Sequence, residues 1–284
     1  MHSHVKRGNE YGNWISIEKG NIVFNKKISL TLIFIICTIT QLNAGDWISA
    51  VQTDRAAYPP GTGVTFFIDF VERTDGAELQ ARYLHLDQVV ATETKTLPAD
   101  ESYSWTWQPP VDDFTGYLVE IELNQQEQVL DKATIAVDVS SSWRKFPRYG
   151  FVSEYSYMSD QQIEGVITQL NRYHINGVQF YDWHHKHHLP LKGTPENPAA
   201  TWNDIANRTI YFSTVEKYIH AAHDRGMMTM AYNLLYGSWE DAHLDGASPS
   251  WRIYLDAERQ RPFVLNLPDS WASDIYMMDT SNEI

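Results

Sequence analysis

Short apolar runs alternate with turn residues between residues 45 and 142. Val64–Phe70 follows the turn residues Pro59, Pro60 and Gly61, and both Tyr103–Trp107 and Gly116–Leu123 alternate apolar with polar positions. A period of two predicts β-strands with one buried face. The stretch is close to the roughly 100 residues of an immunoglobulin-like sandwich. It has no helical pattern of useful length, so we predict an all-β immunoglobulin-like domain over 45–142.

The period of the pattern changes after Trp143. Tyr149–Ser153 is a short apolar run, and Ser159 with Gln162 forms a capping box at the start of a helical pattern. The apolar residues that follow share one helical face: Ile163, Val166, Ile167 and Leu170. The sequence therefore predicts a strand followed by an amphipathic helix.

The same alternation repeats further along the chain. Val178–Tyr181 is predicted as a second strand, Ser213 with Glu216 as the capping box of a second helix, and Met227–Tyr232 as a third strand. Strands that alternate with helices pair in parallel through right-handed crossovers. Two folds have this order, the doubly wound sheet and the (β/α)8 barrel.

Residues at the strand ends distinguish these two folds. No glycine-rich phosphate loop follows any of the three strands, which disfavours a nucleotide-binding sheet. Polar and aromatic residues follow the strands instead, where (β/α)8 barrels keep their sites. Tyr149–Ile284 accommodates only about half of the roughly 250 residues of such a barrel. We therefore expect a multidomain chain whose residues 143–284 are α/β, the incomplete first part of a (β/α)8 TIM barrel.

Charge and aromatic content narrow the class of partner. The chain has 36 acidic and 22 basic residues and a formal charge of -14. Such a charge repels phosphate backbones and anionic lipids, so we expect no nucleic-acid partner. Aromatic residues make up 13% of the chain, with 10 Trp and 16 Tyr. Their rings suit stacking on sugars, although core packing explains many of them.

Residues 26–44 have the pattern of a signal peptide. Lys26 and Lys27 precede the apolar stretch Ile28–Thr40, which is short for a membrane span, and Ala44 precedes a plausible cleavage point. A membrane anchor is the alternative. We expect export to the medium, periplasm or cell surface with no stable membrane insertion after cleavage, and we take residues 1–25 as an upstream extension. Cleavage would also remove Cys37, the single cysteine.

A long segment between Asp182 and Ile210 exceeds an ordinary βα loop of about 2 to 6 residues, and such loops are usually functional. It contains four histidines and a lysine in a row: His184, His185, Lys186, His187 and His188. Imidazoles are common metal ligands, but neighbouring residues of an extended loop point in alternating directions. We therefore expect no metal and no cofactor, and predict that His187 binds substrate hydroxyls. A solvated polar loop is the alternative.

Two further clusters follow predicted strands. Asp182 and Trp183 come after the second strand, and Asn233 and Tyr236 come after the third. A carboxylate or amide can hydrogen-bond sugar hydroxyls, and an aromatic ring can stack on the sugar, so we predict that these four residues bind substrate and lie close together. The structural alternative for Asp182 is a cap or an ion pair with Arg208. Trp239 and Trp251 are weaker candidates, because packing also explains them.

Five motifs in a fixed order carry a resemblance to a known family: Phe146–Ser153, His174–Trp183, Lys186–His188, Trp202–Arg208 and Met230–Gly237. Together they resemble glycoside hydrolase family 66, which contains endo-dextranases and cycloisomaltooligosaccharide glucanotransferases. The resemblance implies an immunoglobulin-like domain before a (β/α)8 barrel. It also implies a retaining mechanism, in which an Asp attacks the anomeric carbon and a Glu acts as acid and base, with the two carboxyl groups about 5 Å apart.

The catalytic carboxylates are not assigned to any residue here. The family's nucleophile follows a strand containing glycine and tryptophan, and no such strand occurs before Ile284. Asp279 and Glu283 match neither motif, so both catalytic residues are expected beyond Ile284. The chain is therefore expected to be truncated and inactive alone.

The resemblance implies a secreted endo-dextranase-like hydrolase that cleaves α-1,6-glucan with retention, with an α-glucan polysaccharide as its partner. One alternative is a glucanotransferase, in which a sugar hydroxyl replaces water as the acceptor and a cyclic product forms. The other is a non-catalytic glucan-binding protein.

Overall fold

The computed structural model describes residues 16–18, 21–23, 47–72, 75–126 and 128–281. The chain divides into two compact units, Met1–Ala44 and Gly45–Ile284. The described residues of the first unit form an antiparallel hairpin of Ser16–Glu18 (β1) and Asn21–Val23 (β2). The predicted signal peptide at 26–44 lies outside the described residues. Among the helices described, none is both long and apolar enough to cross a membrane.

Seven antiparallel strands open the second unit: β3 (Ile48–Thr53), β4 (Val64–Phe70), β5 (Glu78–His85), β6 (Gln88–Thr96), β7 (Ser102–Trp107), β8 (Thr115–Gln125) and β9 (Gln128–Val139). They form one sheet in the order β3-β4-β7 and another in the order β6-β5-β8-β9. The β-rich structure predicted for this stretch is confirmed. The immunoglobulin-like topology stays a prediction.

The two sheets pack face to face around one apolar core. Alternate residues of β4 point inward, and Phe66 is fully buried while Phe67 faces solvent. Across the layers, the indole Nε1 of Trp105 donates to the hydroxyl of Tyr83 at 2.8 Å, and the Trp107 ring stacks on Tyr83 with centroids 4.1 Å apart. Apolar burial is the main favourable term here, and the hydroxyl keeps the buried indole N–H paired.

Strands and helices then alternate as predicted, with two further strands that were not predicted. The elements are β10 (Tyr149–Val152), α1 (Asp160–Arg172), β11 (Gly177–Phe180), β12 (Thr201–Asn203), β13 (Thr209–Tyr211), α2 (Phe212–Asp224) and β14 (Met228–Ala231). The two strands that were not predicted, β12 and β13, lie between β11 and α2. β10, β11 and β14 form a parallel sheet in that order, which confirms the predicted pairing. β12 and β13 form a hairpin within the long segment that follows β11.

The remaining elements form a small antiparallel sheet and two 3-10 helices: β15 (Gly237–Ser238), the 3-10 helices Glu240–Asp245 and Pro249–Trp251, β16 (Val264–Leu265) and β17 (Ile275–Met277). The sheet has the order β15-β17-β16. Its first strand, β15, begins at Gly237, after the segment that leaves the carboxyl end of β14 at Ala231.

One of the two predicted capping boxes is present. The Ser159 side chain accepts from the backbone N–H of Gln162, whose side chain accepts from the backbone N–H of Ser159, so α1 begins as predicted. The capping box at Ser213 and Glu216 is wrong. α2 begins at Phe212, after the N-cap Tyr211, whose side chain makes no capping hydrogen bond. Because strand β13 runs directly into α2, Ser213 lies inside the first helical turn instead of before it.

The two faces of the parallel sheet have different surroundings. Val178 and Phe180 are buried against the helices, together with Ile167 of α1 and Tyr218 of α2. Phe151, Gln179 and Met230 are register partners on neighbouring strands and share the opposite face. Phe151 is 63% exposed there.

Hydrogen bonds join the β-sandwich to the α/β part within the second unit. The Asn171 side-chain amide donates to the Thr53 carbonyl oxygen at 2.6 Å in a buried position. The Arg148 guanidinium pairs with the Asp138 carboxylate at 2.8 Å and donates to the carbonyl oxygen of Ala56. The two parts have separate apolar cores. Division into domains at residues 44 and 142 stays a prediction.

Candidate functional site

The segments that follow β11 and β14 contact each other at the carboxyl ends of the parallel strands. Phe180 and Ala231 are register partners at these ends. The Trp183 indole Nε1 donates to the Tyr232 carbonyl oxygen at 3.1 Å, and the Tyr181 and Tyr232 rings lie 4.5 Å apart. The two predicted clusters are therefore neighbours, as parallel pairing requires.

A cavity of about 840 Å³ lies beside these segments. This volume falls within the roughly 300 to 1,000 Å³ of small-molecule sites. It is lined by His187, His188, Pro190, Asn233, Leu235, Tyr236, Gly237, Asp245, Gly246, Ala247, Trp251, Met278, Asp279 and Thr280. Three predicted site residues, His187, Asn233 and Tyr236, are thus brought together. Asp182 and Trp183 are not among the described residues that line the cavity.

Trp239 holds the two cavity-lining histidines in defined orientations. Its indole Nε1 donates to Nδ1 of His187 at 3.1 Å, and its backbone N–H donates to Nδ1 of His188 at 3.3 Å. A neutral imidazole that accepts at Nδ1 carries its proton on Nε2. His188 uses Nε2 to contact the Asp245 carboxylate at 2.9 Å. Both rings are therefore fixed as Nε2–H donors.

Burial keeps His187 neutral near pH 7. The residue is only 4% exposed, and burial, with a smaller contribution from His188, lowers the pKa of His187 to about 4. A neutral Nε2–H suits hydrogen bonding to an uncharged hydroxyl. It requires no counterion in the cavity.

His184 differs from the other histidines of the run. It is fully buried, and neither ring nitrogen has a hydrogen-bond partner among the described residues. Its ring centroid lies 4.6 Å from that of His187 and 6.0 Å from that of Tyr232. Burial, reinforced by His187, lowers the pKa of His184 to about 3. His184 therefore packs as a neutral ring behind the cavity wall.

Three groups that could ligate a metal lie close together, and a lysine lies among them. One ligand atom each of His188, Asp241 and Asp245 falls within 4.8 Å of the others. The Lys186 Nζ is 2.7 Å from a carboxylate oxygen of Asp241 and 2.7 Å from one of Asp245. The protein's own ammonium group therefore supplies the positive charge at this point.

Asp182 belongs to an ion-pair network beside the carboxyl ends of β10 and β11. Its carboxylate contacts the Arg208 guanidinium at 3.3 Å. This ion pair is the alternative to substrate binding that the sequence suggested for Asp182. Burial raises the pKa of Asp182, and Arg208 opposes that shift. The Asp182 backbone is in the left-handed region, at φ 53°. Its proposed contact with substrate stays a prediction.

Asp204 organises this network and was not selected from the sequence. Its side chain is fully buried and accepts from Nε of Arg208 at 2.7 Å, from the Arg208 backbone N–H at 2.8 Å and from the Ala206 backbone N–H at 2.9 Å. The spacing of four residues between Asp204 and Arg208 is a local signal that sequence reasoning could have used.

Other residues at the cavity were missed or ranked low. Trp251 lines the cavity, and Trp239 orients its histidines, although both were weaker candidates from the sequence. Asp245 and Lys186 contact each other across 59 positions of the chain. Their separation left no spacing signal to find.

Comparisons with known proteins agree on one family. Residues 53–284 match the family model described as glycosyl hydrolase family 66. Two cycloisomaltooligosaccharide glucanotransferases of Niallia circulans are similar. One is 35% identical over 244 residues, which cover 83% of this chain and 25% of the relative, and the other is 28% identical over 276 residues, which cover 90% and 28%.

A solved structure shows the same similarity in three dimensions. It is a cycloisomaltooligosaccharide glucanotransferase of Paenibacillus sp. in complex with cycloisomaltoheptaose, with a TM-score of 0.74 and 32% identity. The aligned part covers 81% of this chain and 34% of that chain. The present chain spans about a quarter of the length of the curated relatives it matches.

Proposed function

Because the chain belongs to glycosyl hydrolase family 66, we propose that it is part of a secreted glucan-active enzyme that cleaves α-1,6-glucan with retention, as an endo-dextranase does. The observation that carries the proposal is the cavity at the carboxyl end of the parallel sheet, which His187, Asn233 and Tyr236 line together. We propose that this cavity binds part of the glucan chain.

The chemistry of the cavity wall supports a neutral, hydroxyl-rich ligand. His187 offers a neutral N–H donor, and Tyr236, a residue that is 51% exposed, offers an aromatic ring. Within the described part of the chain, the side-chain oxygen of Asn233 is buried without a hydrogen-bond partner. An unpaired buried acceptor costs about 1 to 3 kcal/mol, and a sugar hydroxyl would remove that cost.

We propose a (β/α)8 barrel for the α/β part, in which β10, β11 and β14 are the first three strands. Support comes from their parallel order, from helices that cover one face, and from the exposed Phe151 on the other face, which a closed barrel would bury. The sheets of three and four strands in residues 45–142 support the immunoglobulin-like proposal.

The catalytic pair is proposed to come from residues outside this chain. The relatives are much longer than the part that aligns here, and no carboxylate pair of this chain is assigned the roles of nucleophile and acid–base. The chain alone is then a glucan-binding portion without hydrolytic activity.

Isothermal titration calorimetry with isomaltoheptaose tests the glucan proposal. The chain is expected to bind this α-1,6-linked oligosaccharide, and maltoheptaose, its α-1,4-linked counterpart, serves as the matched control ligand. Equal binding of both sugars, or of neither, would contradict a site for α-1,6-glucan.

A glucanotransferase is the second candidate, and the names of the relatives favour it. Both curated relatives and the solved relative are cycloisomaltooligosaccharide glucanotransferases. Hydrolysis and cyclisation would share the retaining intermediate and differ in the acceptor, which is water or a sugar hydroxyl. Chromatography of dextran products from a longer protein that contains this chain would separate them. Linear products support the hydrolase, and cyclic products support the transferase.

Export is a separate proposal, based on the signal-peptide pattern of residues 26–44. N-terminal sequencing of the protein from culture medium and cell envelope is expected to show Gly45 as the first residue. A mature terminus upstream of Ile28 would contradict cleavage of this segment.

A further inference from the structure

A single ammonium group joins the histidine-rich segment to a distant 3-10 helix. The Lys186 Nζ donates to the carboxylates of Asp241 and Asp245, both at 2.7 Å, and the lysine side chain is only 12% exposed. Asp241 is the second residue of the helix Glu240–Asp245 and Asp245 is its last, and both carboxylates contact this one cation. A charge in contact with two opposite charges in a partly buried place is screened less than a surface pair.

The surroundings of the Lys186 ammonium have the composition of a metal site. One imidazole and two carboxylates converge within 4.8 Å, which is a donor set that divalent cations accept once Nε2 of His188 has given up its proton. His188 contacts the same oxygen of Asp245 that Lys186 contacts. Without Lys186, the carboxylates of Asp241 and Asp245 would lose the ammonium group that they share, and Asp245 would keep its contact with His188.

The same cluster adjoins the cavity wall. His187 and His188 are the next residues after Lys186, and both accept hydrogen bonds from Trp239, which directly precedes the 3-10 helix. The Lys186 Nζ lies 5.9 Å from the centre of the Trp239 ring. The backbone of the segment is closed locally by paired hydrogen bonds between Lys186 and Leu189 at 3.1 Å. The contacts across to the helix, in contrast, are made by side chains.

We propose that Lys186 is a tethered cation that occupies the place of a metal ion between His188, Asp241 and Asp245. In this role it is a positioning residue. It holds the histidine-rich segment against the 3-10 helix, so that His187 and His188 keep their orientation on the cavity wall. The consequence for glucan binding rests on the proposed function, whereas the occupancy of the cation position does not.

Zinc titration tests the occupancy of the cation position without reference to glucan. Lys186→Ala is expected to bind one Zn²⁺ by calorimetry, and the double variant Lys186→Ala/Asp245→Asn and the wild-type chain are expected to bind none at this position. Failure of Lys186→Ala to bind Zn²⁺ while it keeps the wild-type circular dichroism spectrum would overturn the proposal. Zn²⁺ binding by the wild type that His188→Ala abolishes would also overturn it.

Glucan binding tests the positioning role. Lys186→Met keeps the aliphatic stem without the charge and is expected to weaken isomaltoheptaose binding about tenfold, or roughly 1.4 kcal/mol. Lys186→Arg keeps the charge and is expected to stay within about threefold of the wild type. Lys217→Met is the matched control, because Lys217 makes a 2.7 Å ion pair with Asp160 away from the cavity.

The outcomes of the two assays are separable. Equal affinities of Lys186→Met and the wild type would overturn the positioning role, and so would an equal loss in Lys186→Met and Lys186→Arg. If the wild type binds no isomaltoheptaose, the proposed function fails, and the zinc titration still decides whether Lys186 occupies a cation position.

Discussion

Tyr236 provides the most direct test of the cavity as a sugar site. It follows β14, lines the cavity, and leaves 51% of its surface exposed. Sugar rings present apolar C–H faces, so an exposed tyrosine ring in a cavity is suited to stack against one. Tyr236→Ala removes this surface. The backbone contact at this position, in which the Tyr236 carbonyl oxygen accepts from the Met278 N–H at 2.8 Å, survives the substitution.

The exposed area sets the expected size of the effect. An aromatic side chain offers about 200 Å² of surface, so an exposure of one half leaves roughly 100 Å² available. A stacked sugar covering between half and all of that area gains about 1.3 to 2.5 kcal/mol at about 25 cal/mol per Å². At about 1.4 kcal/mol per decade, Tyr236→Ala is expected to raise the Kd for isomaltoheptaose roughly tenfold to sixtyfold.

Calorimetry at constant temperature and pH measures this change. Tyr236→Phe keeps the ring and is expected to retain most of the affinity, within about fivefold, since it loses at most one hydrogen bond of about 1 kcal/mol. Tyr173→Ala is the matched control, because Tyr173 is 76% exposed and does not line this cavity. An unchanged Kd for Tyr236→Ala, or an equal loss for Tyr173→Ala, would refute stacking on Tyr236.

Three other predictions concern stability, pH and catalysis. Asp204→Ala is expected to lower the free energy of unfolding in urea by about 3 kcal/mol, because three hydrogen bonds to a buried carboxylate are lost. Asp182→Ala is expected to lower the free energy of unfolding by about 1 kcal/mol or less, because Arg208 keeps its ion pair with Asp204. Equal losses of unfolding free energy in the two variants would contradict this ranking. Burial lowers the pKa of His184 in the folded state to about 3, whereas the unfolded value is about 6.5. The contribution of the neutral ring to the free energy of unfolding is therefore complete above pH 6.5. As the pH falls below 6.5, this contribution is lost by up to about 1.4 kcal/mol per pH unit. Urea unfolding of His184→Leu is therefore expected to depend less on pH between 6.5 and 4, and an unchanged dependence would point to another group. The chain alone is expected to release no reducing sugar from dextran, and release by pure protein would show that it contains the catalytic carboxylates.

Local periodicity was sufficient to predict both described α-helices and the strands β4, β7, β8, β10, β11 and β14. Alternation in Val64–Phe70 reappears as a strand with alternate residues buried, and Ser159 caps α1 as its spacing with Gln162 indicated. The same motif at Ser213 failed, because strand β13 runs directly into α2 and sets where the helix begins. A capping motif predicts a helix start only where the preceding backbone is free to adopt the cap geometry.

The candidate site was only partly predictable. Parallel pairing places the segments after β11 and β14 side by side, so the proximity of Trp183 to Tyr232 followed from element order alone. The direction of each side chain did not follow. Asp182 turns to Arg208 through a left-handed backbone, and Trp183 uses its indole N–H on a backbone carbonyl.

The sequence by itself determined the β-rich character of residues 45–142, the alternation of strands and helices that follows it, the strand ends at which polar residues collect, and the family. Each of these depends on local patterns or on ordered motifs. Only the tertiary structure decided which side chains line the cavity, and it placed Trp251 there and set Trp239 behind His187. It also brought Lys186 to Asp245, 59 positions away. Periodicity shows which face of an element is buried, but the partner of a buried or charged group depends on distances between elements that are far apart in the chain.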